Sequence, residues 1–126
     1  MTDPALRGRA RFVVHKGKRL FLIDASHLNY EQIVELADLA APEIRAQPPA
    51  SVMTITHVEG AALDRRLVDK LRTFVEGNRP HVRAACVTGL GPLQRMVFTA
   101  VKVITGREFQ LFATVEQAKD YLAALP

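Results

Sequence analysis

The residues best suited to chemistry fall at the ends of three apolar runs. Asp24 and Ser26 follow residues 19–23, His57 and Glu59 follow 51–56, and Thr88 and Gly89 close the run that begins at Val82. A serine, a histidine and carboxylates on one rim are the types a nucleophilic hydrolase uses, with the imidazole drawing the proton from the hydroxyl. The surrounding pattern is not that of such an enzyme. Ser26 stands outside any Gly-x-Ser-x-Gly elbow, and polar residues at strand ends ordinarily tie down backbone groups. No catalytic residue is assigned on this ground.

Thr88-Gly89-Leu90-Gly91-Pro92 precedes a helical pattern. Free N–H groups and the helix dipole make such a place attractive to an anion. Pro92 removes one donor, however, and the Gly-x-x-x-x-Gly-Lys-Ser/Thr pattern of a phosphate loop is absent, so the stretch reads as a structural turn. His15, His27, His57 and His81 are scattered without metal-ligand spacing, and Cys86 is the sole cysteine. Neither a metal nor a cofactor is expected. A phospho-receiver domain would end its third strand in aspartate, whereas the third run here ends His57-Val58-Glu59.

The elements that must position these residues are well punctuated. Residues 11–15 and 19–24 are apolar runs joined by Lys16-Gly17-Lys18, a hairpin signal. Leu20, Phe21, Leu22 and Ile23 are continuously apolar, which predicts a strand covered on both faces. Asn29 and Gln32 match a capping box, and Ile33, Leu36, Ala37 and Ala40 follow at helical spacing until Pro42 perturbs or ends the helix. Residues 51–58 are rich in β-branched side chains and predict a third strand.

Gly60 breaks that strand, and Leu63, Leu67, Leu71 and Phe74 predict a helix over about 62–76, stopped by Gly77-Asn78. Residues 82–88 predict a fourth strand. Pro92 opens a helix whose stripe is Leu93, Met96, Val97, Ala100, Val101 and Ile104, ended by Gly106. A short strand over 108–112 and a helix capped by Thr114 and Gln117 close the chain. The order β-β-α-β-α-β-α-β-α predicts a single α/β domain: a mixed five-stranded sheet, with an N-terminal hairpin, parallel strands and four helices on its faces.

Length and charge bound the rest. With 126 residues, 48% hydrophobic and 24% charged, the chain suits one globular domain over residues 11–126. Residues 1–10 read as a flexible basic arm. Arg7, Arg9, Arg11, Lys16, Lys18 and Arg19 face only Asp3 within residues 1–19, a net +5, while the remainder holds eleven basic and twelve acidic residues. This basicity reads as a solvated tail and hairpin edge, where charge discourages strand-to-strand aggregation, and no specific nucleic acid is expected. No signal-peptide core and no membrane-length apolar run is present, and one cysteine suits a reducing compartment, so a cytoplasmic protein without a membrane span is expected.

The order of elements, the 82–104 strand-turn-helix and the closing segment together resemble the STAS domain, the anti-sigma factor antagonist family, and more closely its SpoIIAA-like branch. Phe112, Glu116, Ala118 and Leu122 match that family's F-x-x-x-E-E-A-x-x-x-L close. The resemblance implies a non-enzymatic regulatory domain that binds another protein, a regulator or a kinase, around the helix after the third strand. It implies Glu59, Asp64, Arg65, Arg66, Val68 and Arg72 as the partner-binding set. The family's switch is a serine, preceded by aspartate, at that helix's N-terminus. This chain reads Val58-Glu59-Gly60-Ala61-Ala62-Leu63-Asp64 there, with no hydroxyl to phosphorylate. A small-ligand or lipid-binding module is the alternative, its rim formed by Asp24, Ser26, His57, Thr88 and Gly89. A homodimer through a sheet edge or a helix face is compatible with either reading.

Overall fold

A computed structural model describes residues 4–126. Five strands, β1 (Ala10–His15), β2 (Lys18–Asp24), β3 (Val52–His57), β4 (Val82–Thr88) and β5 (Gln110–Phe112), form one sheet in chain order. β1 and β2 are antiparallel, and the other pairs are parallel. The hairpin turn uses Lys16 and Gly17 at φ 51° and 79°, the left-handed geometry that matches strand twist.

The helices are α1 (Pro4–Arg7), α2 (Tyr30–Arg45), α3 (Leu67–Asn78), α4 (Pro92–Thr105) and α5 (Val115–Ala123). Right-handed crossovers between strands laid down in sequence order place α2, α3 and α4 on one face. α5 follows the last strand, needs no crossover, and covers the other face. The alternation of β2 serves both layers. Phe21 and Ile23 join Ile33, Leu36, Leu71, Val97 and Val101 in the larger core. Leu20 and Leu22 join Met53, Ile55, Cys86, Ala118 and Leu122 under α5. The mixed five-stranded sheet inferred from the sequence is therefore present, with four helices of nine residues or more and the short α1.

Four local readings change. The helix expected over 62–76 begins only at Leu67. Asp64 takes the Arg66 N–H at 2.8 Å in a side-chain turn that competes with helix. Leu63 is buried from a loop, which explains why it kept helical spacing. Pro42 lies inside α2 rather than ending it, since the buried Ala40 and Ile44 hold the helix on the core. The last strand spans three residues instead of five.

Residues 4–10 are not a free arm: α1 buries Leu6 at 1% exposure, and Arg9 donates to the Asp24 and Ser26 carbonyls at 3.2 and 2.9 Å. Residues 1–3 of that expected arm lie outside the described residues.

Candidate functional site

Parallel pairing carries the ends of β2, β3 and β4 to one rim. The register sets Asp24 beside His57 and His57 beside Thr88. The side chains there are already engaged with one another. Ser26 donates its hydroxyl to Asp24 Oδ1 at 2.6 Å and its N–H to the same oxygen at 3.0 Å. His57 Nδ1 meets Thr88 Oγ1 at 2.8 Å, and Thr88 is fully buried. No hydrogen bond joins Ser26 to His57 among the described residues.

Burial raises the Asp24 pKa. The Ser26 hydroxyl and N–H, with the charges of Arg9 and His57, outweigh that and hold the carboxyl below its usual 3.8. Ser26 is thus bonded to an ionised acid, a poor base, and the cluster clips the β2–α2 turn to the rim.

The open space of the rim lies one strand further along. A cleft of about 570 Å³ is lined by Glu59, Gly60, Gly89, Leu90, Arg95 and Leu111, among others. Of the residues expected to form a ligand rim, only Gly89 lines it; Asp24, Ser26, His57 and Thr88 do not. Gly89 has φ 75°, and a Cβ there would stand 2.9 Å from His57 Cε1 and 3.0 Å from the Glu59 nitrogen. Glycine is thus what lets two rim loops touch.

Gln94, unassigned by the sequence, joins these loops. Its side chain accepts from the Gly91 N–H at 3.0 Å and donates to the Ala61 carbonyl at 2.9 Å. The three-residue spacing from Gly91 to Gln94 is the only signal that could have found it. Arg95 sits among apolar stripe residues and carried no signal.

The residues expected to bind a partner divide by what holds them. Asp64 and Arg66 pair with each other at 2.8 Å, the Arg66 guanidinium lies 4.0 Å from the Tyr30 ring centre, and that pair lowers the Asp64 pKa. Arg72 sits within reach of Asp69 and Glu76 on its own helix, at 3.6 and 3.9 Å. Val68 packs on the core. Glu59 lies 3.6 Å from His27 in the loop before α3. Arg65 is exposed and its side chain has no ion-pair partner among the described residues.

Beside α3 runs α4, whose outer face is apolar. Leu93, Met96, Val103 and Ile104 are 50%, 63%, 78% and 52% exposed. Only Val97, Phe98 and Val101 of that helix are buried. The stripe from Leu93 to Ile104 is therefore split: Leu93, Met96 and Ile104 face outward, while Val97 and Val101 are buried.

Among the described residues, no cluster of three or more His, Cys, Asp or Glu side chains is placed to hold a metal ion, and no helix is long and apolar enough to cross a membrane. Comparison with protein-family models, curated proteins and solved structures returns no match.

Proposed function

We propose that this chain is a non-enzymatic regulatory domain of the STAS type that binds another protein through α3, the loop before it and the outer face of α4. The carrying observation is the apolar stripe of α4. Four of the six large hydrophobic side chains exposed among the described residues, Leu93, Met96, Val103 and Ile104, stand on one fourteen-residue helix. Scattered surface hydrophobes need no explanation, but concentration on one helix face marks an interaction surface. Arg65, exposed and unpaired in the loop before the adjoining helix, supplies a charge for the rim of such an interface. The partner, by the resemblance to anti-sigma factor antagonists, is a regulator or kinase, and the compartment is the cytoplasm. Without a serine or threonine between Val58 and Asp64, binding is not switched by phosphorylation there.

A photo-crosslinking residue at Met96 or Val103, with Lys119 on α5 as the control position, tests this. A discrete heterologous adduct from the α4 positions alone, abolished by Leu93→Asp and weakened by charge reversal at Arg65 and Arg66, is expected. Equal adducts from Lys119, or a stripe that captures only a second copy of the chain, overturns the reading.

The rim cleft supports a second reading, a small-ligand module closed by Glu59, Gly89 and Arg95. Saturable shifts of the Gly89 to Gln94 amides with a small-molecule library favour it over the first.

A further inference from the structure

A second hollow lies at the other end of the sheet, beneath α3 and α4. It is a cavity of about 60 Å³ walled by Thr54, Phe74, Val75, Ala85, Phe98 and Phe109. Arg79 and Arg107 also line it. Each arginine lies three positions before the first residue of its strand, Val82 of β4 and Gln110 of β5, so both stand at the amino ends of the parallel strands, away from the rim described above.

Their charges are not neutralised. Arg79 donates to the Thr105 carbonyl at 2.5 Å. The neighbouring acid, Glu108, is taken by Lys102 at 3.2 Å. Among the described residues no carboxylate pairs with either guanidinium. Burial, and then the charge of Arg79, hold the Arg107 pKa below its ordinary value. Arg107 is half-buried and the exposed Arg79 stands beside it, both on the wall of an apolar hollow. An enclosed cation without a counter-ion is costly until an anion joins it.

We propose that this hollow binds a short-chain carboxylate, its head group between Arg79 and Arg107 and its alkyl tail against Phe74, Phe98 and Phe109. Guanidinium suits a carboxylate through paired N–H donors. The cavity sets the tail length. An engineered apolar cavity of about 150 Å³ accepts benzene, so a space well under half that size accepts roughly two or three carbons, as in propionate or butyrate. This site does not depend on the protein-binding role of α4.

Titrating the full chain with sodium butyrate, followed by amide shifts, tests the site against sodium chloride at equal ionic strength, 1-butanol and butylammonium. Saturable millimolar binding of butyrate is expected, with shifts centred on Thr54, Ala85 and Phe109. Arg107→Gln and Arg79→Gln should each weaken it about tenfold, the scale of a lost charge-assisted hydrogen bond. Ala85→Leu, which fills the hollow, should abolish it while the amide spectrum stays dispersed. If that variant does not fold, the two glutamine variants decide. Butanol binding as well as butyrate, shifts remote from these residues, or glutamine variants that bind like the parent would each overturn the proposal.

Discussion

At Gly89 one missing side chain holds two rim loops together. Its φ of 75° is strained for any L-residue, and an added Cβ would press on His57 and on the Glu59 backbone. Gly89→Ala should therefore cost at least about 1–2 kcal/mol in denaturant unfolding from the backbone alone. A variant as stable as the parent would mean that the loops separate freely. Asp24 offers a test by pH. Its folded pKa is depressed, so its contribution to stability is present above the unfolded value of 3.8 and is lost as pH falls through the lower folded value. Asp24→Asn should lower stability at pH 7, and the gap from the parent should close as pH falls from about 5 toward 2. Parallel acid-unfolding curves would show instead that the Ser26 and Arg9 contacts contribute no linked free energy.

Helix ends were legible in the sequence where a side chain caps them. Asn29 accepts the Gln32 N–H at 2.9 Å and Thr114 accepts the Gln117 N–H at 3.2 Å, both at positions the capping pattern predicts. The start of α3 was not legible, because Leu63 is buried by the loop yet stays in phase with Leu67 and Leu71. Periodicity reports burial, not helix, when a loop is pressed on the core. The same limit hides the outer face of α4. That helix leads into the three-residue edge strand β5, and among the described residues nothing covers its outer apolar wall. The polar cluster at the rim was legible as residue types, but its mutual hydrogen bonds depend on strand register, which no local pattern carries. The two faces of α4 should respond in opposite ways. Met96→Glu with Val103→Glu should stay within about 0.5 kcal/mol of the parent, as exposed substitutions do. Val101→Ala, at a fully buried position, should cost about 1–3 kcal/mol. A large cost for the glutamate pair would place that stripe inside an assembly the chain forms with itself.

Across the molecule, the basic N-terminal hairpin acts as a clasp on the C-terminal helix. His15 Nε2 and Lys16 Nζ meet Asp120 Oδ1 at 2.8 and 3.0 Å, and Lys18 donates to the Leu125 carbonyl at 2.8 Å. Arg83 of β4 reaches the Pro126 carbonyl. Of the six basic residues within 1–19, Lys16 and Lys18 are thus engaged with the C-terminal segment, and Arg9 with the end of β2. The clasp matters because, among the described residues, α5 is the sole helix on its face. Ala118 and Leu122 alone of its residues are fully buried, and beneath them lie Leu20, Leu22 and Ile55. A nine-residue helix is too short to persist unaided, so its order comes from docking. Asp120→Ala removes the shared acceptor, whose pKa is held down by the His15 hydrogen bond and then by Lys16. Amide exchange over 115–123 should then quicken while α2 and α3 keep their protection, because the larger core does not depend on α5. The same gain should appear in the parent as pH falls below 3.8 toward the depressed folded pKa, and rising salt should reduce the difference between the two proteins. Exchange that quickens equally in every helix would show that α5 and the larger core open as one unit, and that the hairpin does not clasp α5 separately.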